Sequence, residues 1–589
     1  MSLAAIRRRH VPDADAWPSG LHPLLARLYA ARGVRDAAPS RLAHLMPPSA
    51  LGGLERACNL LAGAIASHRR VCVVGDFDAD GATGTAVAVR GLRLLGGRAV
   101  SYRVPNRFRD GYGLSPGLVD TLAGTTDLIL TVDNGIASHA GVAAARAHRI
   151  AVIVSDHHLP GATLPDADAI VNPNAVAADS CAHGSPPCGA CRAAGAGAAC
   201  LAGVGVVFYL LLALRARLRA GGAPADVAEA DLAGLLDLVA LGTVADLVPL
   251  DANNRILVDA GLRRIREGRA SAGVAALCRA AGRDPARIVA ADLAFALAPR
   301  INAAGRLDDM SLGIECLLAD VPSQADALAA RLSAINAERQ DLQAAMVEQA
   351  EAMVAAFLER KAGAPLPSGI VLHDEGWHAG VVGLVASKVK ERLNRPVIAF
   401  APADGADGTE LRGSARSIAG FHLRDALAEI DARCPGLIAR FGGHAMAAGL
   451  TLDAAALPRF TLEFDAVTSR RIDPGAFEHC IWSDGELAVA QFSCETARLL
   501  RYAAPWGQGF PEPAFDNVFA LASWRVVGER HLKLALRLDG RAEPLEAIAF
   551  NAVDAAPPPA MLRVVFQLDL DEWNGRERLQ LVVRHIEPA

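Results

Sequence analysis

The sequence predicts an α/β protein in which two α/β domains are joined by a long helix and followed by a small all-β domain. Three observations predict this architecture. Short β-branched apolar runs alternate with helical patterns in the first half of the chain, a long segment rich in Ala, Leu, Glu and Gln follows, and short strand patterns separated by turns occupy the end. With 589 residues, the chain is too long for a single hydrophobic core.

The first α/β domain is expected over about 50–260, because its strands have the pattern of a buried parallel sheet. The runs 71–74, 128–132 and 151–154 are short, β-branched and free of charge on both faces. That pattern is typical of strands covered by helices on both sides. Helical patterns such as 83–95 alternate with these runs, which indicates a doubly wound fold.

A long helix is expected next, from Val321 to about Lys361, because this segment has no Gly or Pro after Pro322. At about 1.5 Å per residue it would reach about 60 Å, enough to connect two domains. The strand patterns near the end, such as 564–568, indicate a small β-domain, which we expect to be a barrel. The predicted organisation is an N-terminal segment at 1–50, a first α/β domain at 51–265, a helical region with the connecting helix at 266–366, a second α/β domain at 367–468 and a β-domain at 469–589.

Composition indicates a globular chain, with 52% hydrophobic and 21% charged residues. The net charge of -5 argues against binding nucleic acid through bulk positive charge, although a local basic groove stays compatible with it. The first residues lack the order of a secretory signal, and 193–214 fits a glycine loop entering a buried helix better than a membrane span. With eleven cysteines and no export signal, we expect a cytoplasmic protein with reduced thiols and no membrane association.

Acidic residues and histidines are concentrated where the predicted strands of the first domain end. The runs are Asp76-Phe77-Asp78-Ala79-Asp80-Gly81, Asp133-Asn134-Gly135 and Asp156-His157-His158, and Asp246 follows a later apolar stretch at 238–241. Because the carboxyl ends of parallel strands lie at one edge of a sheet, these side chains should converge. Converging carboxylates need cations, and oxygen with imidazole ligands suits Mn²⁺ or Mg²⁺. Two such ions about 3.5–4 Å apart can hydrolyse a phosphodiester.

Each cluster alone has an ordinary explanation. Asp133-Asn134-Gly135 could be a simple turn, adjacent histidines are often surface residues, and the run 76–81 could be a calcium loop. The calcium loop would need a glutamate at position 87, which is Val in this chain. A calcium-binding structural protein is disfavoured, because the carboxylates come from distant strands. Together the four clusters favour a catalytic metal centre.

In their residues and order, the four clusters resemble the motifs of the DHH phosphoesterase superfamily, whose members are Mn²⁺- or Mg²⁺-dependent. The resemblance implies two bound ions. Asp156 is expected to fix the tautomer of a histidine, and His158 to orient a ligand or contact phosphate. The implied metal ligands are Asp76, Asp78, Asp80, Asp133, His157 and Asp246, and the implied catalytic residues are these six together with Asp156 and His158.

Further segments are similar to the RecJ family of exonucleases within that superfamily, over nearly the whole chain. They are 105–108 with 111–115, 202–206, 299–307 and 377–383. The second α/β domain resembles the DHH-associated domain, and the C-terminal part resembles an OB-fold that binds single strands. The resemblance implies a monomeric, single-stranded-DNA-specific 5′-to-3′ exonuclease that releases 5′-mononucleotides in DNA repair and recombination. A helicase and a single-strand-binding protein are the implied partners.

Substrate contacts are expected on both α/β domains. The run Gly413-Ser414-Ala415-Arg416-Ser417 is interpreted as a Gly-rich turn whose Ser and Arg would cradle a phosphate. The resemblance assigns Ser414 and Arg416 to the 5′-terminal phosphate and places His444 near the metals. It also implies that Arg300 and Arg306 contact the DNA backbone and that Arg107, Tyr112 and Asn302 contact the substrate.

Two functional alternatives stay open. A DHH enzyme acting on oligonucleotides or cyclic dinucleotides would lack the tail 475–589, and a non-catalytic replication scaffold need not keep its metal ligands. The Ala/Gly/Cys-rich insert between Asn174 and Leu201 departs from the family pattern. We interpret it as a surface loop with free thiols rather than a zinc site, and its cysteines are Cys181, Cys188, Cys191 and Cys200.

Overall fold

The computed structural model describes residues 5–13, 17, 20–34, 41–107, 110–175, 198–360, 366–403, 409–443, 445–477, 480–552, 558–573 and 576–589. The chain forms two compact units. The small unit comprises Met1–Ile6, Arg306–Asp308 and Ala334–Ile481, and the large unit comprises Arg7–Gly305, Asp309–Ser333 and Trp482–Ala589.

The described strands, in chain order, are β1 (Ala5–Arg8), β2 (Val71–Gly75), β3 (Val100–Arg103), β4 (Leu128–Val132), β5 (Ala151–Ser155), β6 (Ala169–Val171), β7 (Ile370–His373), β8 (Val397–Pro402), β9 (Glu410–Arg416), β10 (Arg440–Gly443), β11 (Ala447–Asp453), β12 (Cys480–Ser483), β13 (Phe515–Val527), β14 (His531–Arg537), β15 (Leu545–Ala549), β16 (Met561–Trp573) and β17 (Arg576–Pro588).

The described α-helices are α1 (Pro23–Ala30), α2 (Leu54–Ala66), α3 (Ala79–Leu94), α4 (Pro116–Leu122), α5 (His139–Ala147), α6 (Gly203–Ala220), α7 (Ala225–Ala228), α8 (Leu236–Ala245), α9 (Ala252–Arg266), α10 (Ala272–Ala280), α11 (Ala290–Asp292), α12 (Ala298–Leu307), α13 (Ser311–Leu318), α14 (Pro322–Arg360), α15 (Val382–Leu393), α16 (Leu423–Arg433), α17 (Leu457–Arg471) and α18 (Cys494–Ala503). A π-helical turn, Leu293–Leu297, joins α11 to α12.

A five-stranded parallel sheet in the order β3-β2-β4-β5-β6 organises the large unit, which confirms the predicted sheet. Every residue of β2 and β4 is buried, as expected for strands covered on both faces. The carboxyl ends of β2, β4 and β5 therefore lie side by side.

Helix α3 begins at Ala79, four residues before the start that the sequence pattern predicts. Asp78 explains the difference, because its side chain accepts a hydrogen bond from the Gly81 N–H and caps the helix. Two glycines let α3 pack closely on its neighbours. A Cβ at Gly84 would lie 2.5 Å from Val132, and one at Gly91 would lie 2.3 Å from Leu211.

The predicted connecting helix is confirmed as α14, which is 39 residues long. Its residues up to Ser333 belong to the large unit, and those from Ala334 onward belong to the small unit. None of the helices that the structure describes is both long and apolar enough to span a membrane.

The small unit is built on a mixed sheet in the order β10-β11-β9-β8-β7, in which only β7 and β8 pair in parallel. Its core includes the stacked rings of Phe460 and Phe464 against Phe400. This confirms the second α/β domain.

The predicted barrel is confirmed in the large unit, where β13-β14-β15-β17-β16 close on themselves. Its apolar interior is shared with the N-terminal helix α1, which contributes Leu24, Leu25 and Leu28 to the same core as Phe515 and Phe566. Arg32, just after α1, forms a buried ion pair with Asp484 at 2.9 Å.

Candidate metal centre

The turn after β2 brings three carboxylates to the edge of the parallel sheet. Asp76 is 4% exposed and leaves the strand, Asp78 caps α3, and Asp80 lies in the first turn of α3. Both oxygens of Asp80 accept backbone hydrogen bonds at the start of α6, from Gly203 N–H at 2.6 Å and Val204 N–H at 2.9 Å. The helix start thus holds the carboxylate in one orientation.

Asp133 follows β4 in a left-handed backbone conformation, with φ 62°. The next residue, Asn134, donates from its side-chain amide to the carbonyls of Val74 (3.0 Å) and Val132 (2.9 Å). These bonds tie the ends of β2 and β4 together. They keep Asp133 beside the carboxylates of the first turn.

Asp156 follows β5 and holds both neighbouring histidines. Its Oδ1 accepts the backbone N–H groups of His157 (2.7 Å) and His158 (3.1 Å) and lies 2.7 Å from His158 Nδ1. Its Oδ2 accepts the N–H of Ile136 at 2.9 Å. Asp156 is therefore surrounded by donors, and its observed contacts orient His158.

Asp246 comes from a different part of the unit, at the end of helix α8. Its Oδ2 lies 3.5 Å from His157 Nε2, and the same nitrogen lies 3.1 Å from Asp133 Oδ1. Nine of the ten residues of α8 are buried, so the helix is fixed within the core of the unit. The cluster 238–246 reaches the metal centre from a helix, whereas the other three clusters follow strands.

The side chains form three groups whose potential ligand atoms lie within 4.8 Å of one another: Asp76, Asp78 and Asp133; Asp80, His157 and Asp246; and Asp133, His157 and His158. Buried atoms without hydrogen-bond partners include Asp76 Oδ1, Asp133 Oδ1 and His157 Nε2. A buried polar atom without a partner is costly unless a ligand satisfies it. Oxygen and imidazole donors without thiolate fit Mn²⁺ or Mg²⁺.

The pKa values of the buried carboxylates also indicate a site for cations. Burial, reinforced by neighbouring carboxylates, raises the pKa values of Asp76, Asp133 and Asp246 well above their ordinary range. Burial and Asp78 raise the pKa of Asp80 to about 7. Bound cations would let all of these groups ionise together.

The two histidines have opposite electrostatic environments. Burial, together with the nearby charge of His158, lowers the pKa of His157 to about 4, so its ring is neutral at pH 7 and suited to ligation. Burial also disfavours the charged form of His158. The hydrogen bond and charge of Asp156 outweigh that cost, and the pKa of His158 is raised.

Two of the expected substrate residues lie beside this centre. The guanidinium of Arg107 lies 4.1 Å from the centre of the Phe77 ring and donates from Nε to the Gly305 carbonyl at 3.1 Å. The hydroxyl of Tyr112 lies 3.3 Å from His158 Nδ1 and donates to the Asp133 carbonyl at 3.2 Å.

Two other residues on α12 make contacts within the large unit. Asn302 Oδ1 accepts the backbone N–H of Ala79 at 2.8 Å, which stabilises the turn after β2 that carries the three carboxylates. Arg300 donates to Ser333 Oγ at 2.9 Å and also to the carbonyls of Ala280 and Ala296. Their contacts with substrate stay predictions.

The remaining expected contacts belong to the small unit. Arg306 donates to the Gly380 carbonyl at 3.2 Å. Arg416 donates to Ser414 Oγ at 3.0 Å. A Cβ at Gly383, in the first turn of α15, would lie 2.8 Å from both Ser414 Oγ and Arg416 Nη2, so the three residues are in close proximity. His444 lies outside the described residues.

The predicted Gly-rich turn around Ser414 is wrong, because Gly413 to Arg416 lie in strand β9. Buried and less buried residues alternate along β9, which places Ser414 and Arg416 on one face. Gly413 is on the opposite face, where a Cβ would lie 2.4 Å from the Phe400 ring. The glycine is explained by packing rather than by a turn.

Several supporting residues are absent from the sequence-based prediction. Asn172 and Asn174 donate to the carbonyls of His158 (2.9 Å) and His157 (2.5 Å), and Asn134 joins two strands. The run Asn172-Pro173-Asn174 after β6 was a usable signal, because it follows a buried strand as the acidic clusters do. Cys181, Cys188 and Cys191 lie outside the described residues, whereas Cys200 is half-buried and free.

Three family models match the chain. The DHH family N-terminal domain matches residues 70–243, the DHHA1 domain matches 366–470, and the RecJ OB domain matches 483–585.

Full-length relatives are similar throughout. The single-stranded-DNA-specific exonuclease RecJ of Dickeya dadantii is 50% identical over 100% of this chain and 99% of its own length. The Escherichia coli protein of the same description is 48% identical over 99% of each chain. A crystal structure of RecJ from Thermus thermophilus in complex with Mn²⁺ matches 99% of this chain and 80% of that chain, with a TM-score of 0.79 and 32% identity.

Proposed function

Because the chain belongs to the RecJ family of single-stranded-DNA-specific exonucleases, we propose that it removes nucleotides from the 5′ end of single-stranded DNA and releases 5′-mononucleotides by two-metal-ion hydrolysis. One observation carries the chemistry. The three groups of potential ligand atoms are linked, since Asp133 belongs to two of them and His157 to two. Shared ligands of this kind support two neighbouring ions rather than separate single sites.

The proposed ligands are Asp76, Asp78, Asp80, Asp133, His157 and Asp246. Two bound Mn²⁺ or Mg²⁺ ions would activate water and stabilise the departing oxygen of the phosphodiester. The protein positions these groups through backbone contacts, such as the two N–H groups that hold Asp80. Asp156 orients His158, and we assign His158 to a phosphate oxygen of the substrate.

For the 5′-terminal phosphate we propose Ser414 and Arg416 on β9, together with the start of α15 at Gly383. Three features support this pocket: a guanidinium, a hydroxyl 3.0 Å from it, and the amino end of a helix of 12 residues. Each favours an anion. The glycine leaves space beside the two side chains, since a Cβ there would lie 2.8 Å from both.

Other substrate contacts are proposed at Arg107 and Tyr112, which lie beside the carboxylates, and at Arg300, Asn302, Arg306 and His444. We further propose that the barrel binds the single strand and that the protein acts as a monomer in the cytoplasm, in DNA repair and recombination. A helicase would supply single strands, and a single-strand-binding protein would present them.

Digestion of a 5′-phosphorylated, 3′-labelled single strand with Mn²⁺ tests the proposal. We expect mononucleotides released from the 5′ end, no cleavage of the matching blunt duplex, and no activity in Asp133→Ala. The control Asp226→Ala removes an exposed carboxylate outside the centre and should leave the activity unchanged.

The other outcomes separate the alternatives. Cleavage confined to di- to pentanucleotides would favour an oligonucleotidase. Binding of the single strand without hydrolysis under all metal conditions would favour a scaffold and overturn the proposal.

A further inference from the structure

Two leucines that directly follow residues of the metal centre are exposed. Leu159 follows His158 and is 60% exposed, and Leu247 follows Asp246 and is 62% exposed. The two segments meet at the centre, because His157 Nε2 and Asp246 Oδ2 are 3.5 Å apart. Single exposed leucines are common on protein surfaces, but two that directly follow residues of a polar metal centre require a functional explanation.

The backbone at Leu247 makes this residue unusual. Its φ is 60°, in the left-handed region that glycine and asparagine adopt readily and leucine rarely does. The flanking chain is held on both sides: Asp246 N–H donates to the Gly242 carbonyl at 3.0 Å, and Leu250 N–H donates to the Gln508 carbonyl at 2.7 Å. Strained backbone of this kind is concentrated at functional sites.

Neither burial nor backbone preference explains a leucine at position 247. An exposed side chain contributes little to the core, and the local conformation favours a different residue type. The apolar side chain itself is therefore the feature that needs a function.

Tyr112 adds a third partly apolar surface beside His158. It is 51% exposed, its hydroxyl is 3.3 Å from His158 Nδ1, and its ring packs edge-on against Phe77. We call Tyr112, Leu159 and Leu247 the apolar rim.

The chemistry of the substrate identifies what the rim contacts. Sugar and phosphate are polar, and the carboxylates and cations of the centre serve the phosphate. The base faces are the apolar part of a single strand, and they are covered by stacking in a duplex. Leucine side chains can insert between bases, and aromatic rings stack on them whatever the base.

We propose that Leu159 and Leu247, together with Tyr112, contact the unstacked bases of the nucleotides at the metal centre. Contact through base faces accepts all four bases and rejects paired, stacked ones. The rim therefore contributes to single-strand specificity without sequence preference. This inference rests on the proposed exonuclease function and deepens it.

The test compares Leu159→Asn, Leu247→Asn and the double variant with the wild type. Asparagine tolerates left-handed backbone, so the loop at 247 need not change. Leu462→Asn is the matched control, because Leu462 is 73% exposed on α17 of the small unit. Each protein receives a 5′-phosphorylated single strand and the same strand with abasic residues at its first three positions.

We expect the double variant to raise KM for the normal strand about tenfold or more, with kcat changed less than about threefold. Wild type and double variant should cut the abasic strand with the same KM. Dissociation constants for both strands, measured with Ca²⁺, should follow the same pattern. The melting temperature, the Mn²⁺ affinity and the control variant should be unchanged.

Equal losses on both strands would overturn the inference, because they would show an effect independent of the bases. An unchanged KM on the normal strand would overturn it as well. If the wild type cuts neither strand, the proposed function fails. The dissociation constants for DNA measured with Ca²⁺ then test the apolar rim by themselves. Weaker binding of the double variant to the normal strand alone supports the inference, and equal dissociation constants for wild type and double variant overturn it.

Discussion

His157 Nε2 lies 3.1 Å from Asp133 Oδ1, yet neither buried atom forms a hydrogen bond within the part of the chain that the structure describes. Two polar atoms this close, both without partners, are arranged to share a third atom. A divalent cation satisfies both, and the neutral imidazole of His157 is suited to it.

Asp133→Asn is therefore expected to reduce exonuclease activity by more than about 100-fold, since it removes the charge of a residue shared by two ligand groups. The apoprotein should melt no lower than the wild type, because one of several repelling buried carboxylates becomes neutral. Titration calorimetry with Mn²⁺ and thermal unfolding in chelator measure both effects. Retained Mn²⁺ stoichiometry and activity would contradict the assignment.

Asp156→Asn should reduce activity about 10–100-fold while Mn²⁺ still binds, because Asp156 orients His158 rather than presenting unpaired oxygens to the ions. The measurements are kcat on single-stranded DNA and Mn²⁺ affinity. Loss of one ion from the stoichiometry would show instead that Asp156 is itself a ligand.

Asn302→Ala tests whether Asn302 supports the metal centre or contacts only the substrate. Oδ1 of Asn302 accepts the Ala79 N–H within the turn that carries Asp76, Asp78 and Asp80. The substitution should therefore make this turn less rigid and weaken Mn²⁺ binding. A residue that contacts only substrate would raise KM and leave Mn²⁺ affinity unchanged. Calorimetry on the free protein and kinetics at saturating Mn²⁺ distinguish these results.

The stability of the apoprotein should depend on pH in an unusual direction. Burial and Asp78 raise the pKa of Asp80 to about 7, so the folded state binds this proton more tightly than the unfolded state does. The resulting stabilisation is complete below the ordinary aspartate pKa and is lost as pH rises through about 7. The melting temperature in chelator should therefore rise as pH falls from 8 to 6.

With Mn²⁺ the dependence should reverse, because ions replace the protons. The increase in melting temperature caused by saturating Mn²⁺ should be larger at pH 8 than at pH 6. An increase that is equal at both pH values would show that these carboxylates are already ionised without metal.

The centre was predictable from sequence where a local pattern determines position. Asp76, Asp133 and Asp156 each follow a buried β-branched run, so a parallel sheet brings them to one edge. Contacts between distant segments leave no such pattern. Local residue preferences predict neither the hydrogen bonds from the Gly203 and Val204 N–H groups to Asp80 nor the left-handed backbone at Leu247.

Residue type alone was misleading at Gly413. The glycine indicated a turn, but it makes room for the Phe400 ring within a strand. Packing against a residue of the neighbouring strand therefore explains this glycine.

The shared core of α1 and the barrel has a consequence for biosynthesis. Leu24, Leu25 and Leu28 are synthesised several hundred residues before Phe515 and Phe566, with which they share this core. At a translation rate of about 5–20 residues per second, tens of seconds pass between synthesis of the helix and synthesis of the barrel strands that cover it. A nascent chain or a product of premature termination would therefore expose these leucines, which makes them a binding site for chaperones and a mark of incomplete synthesis.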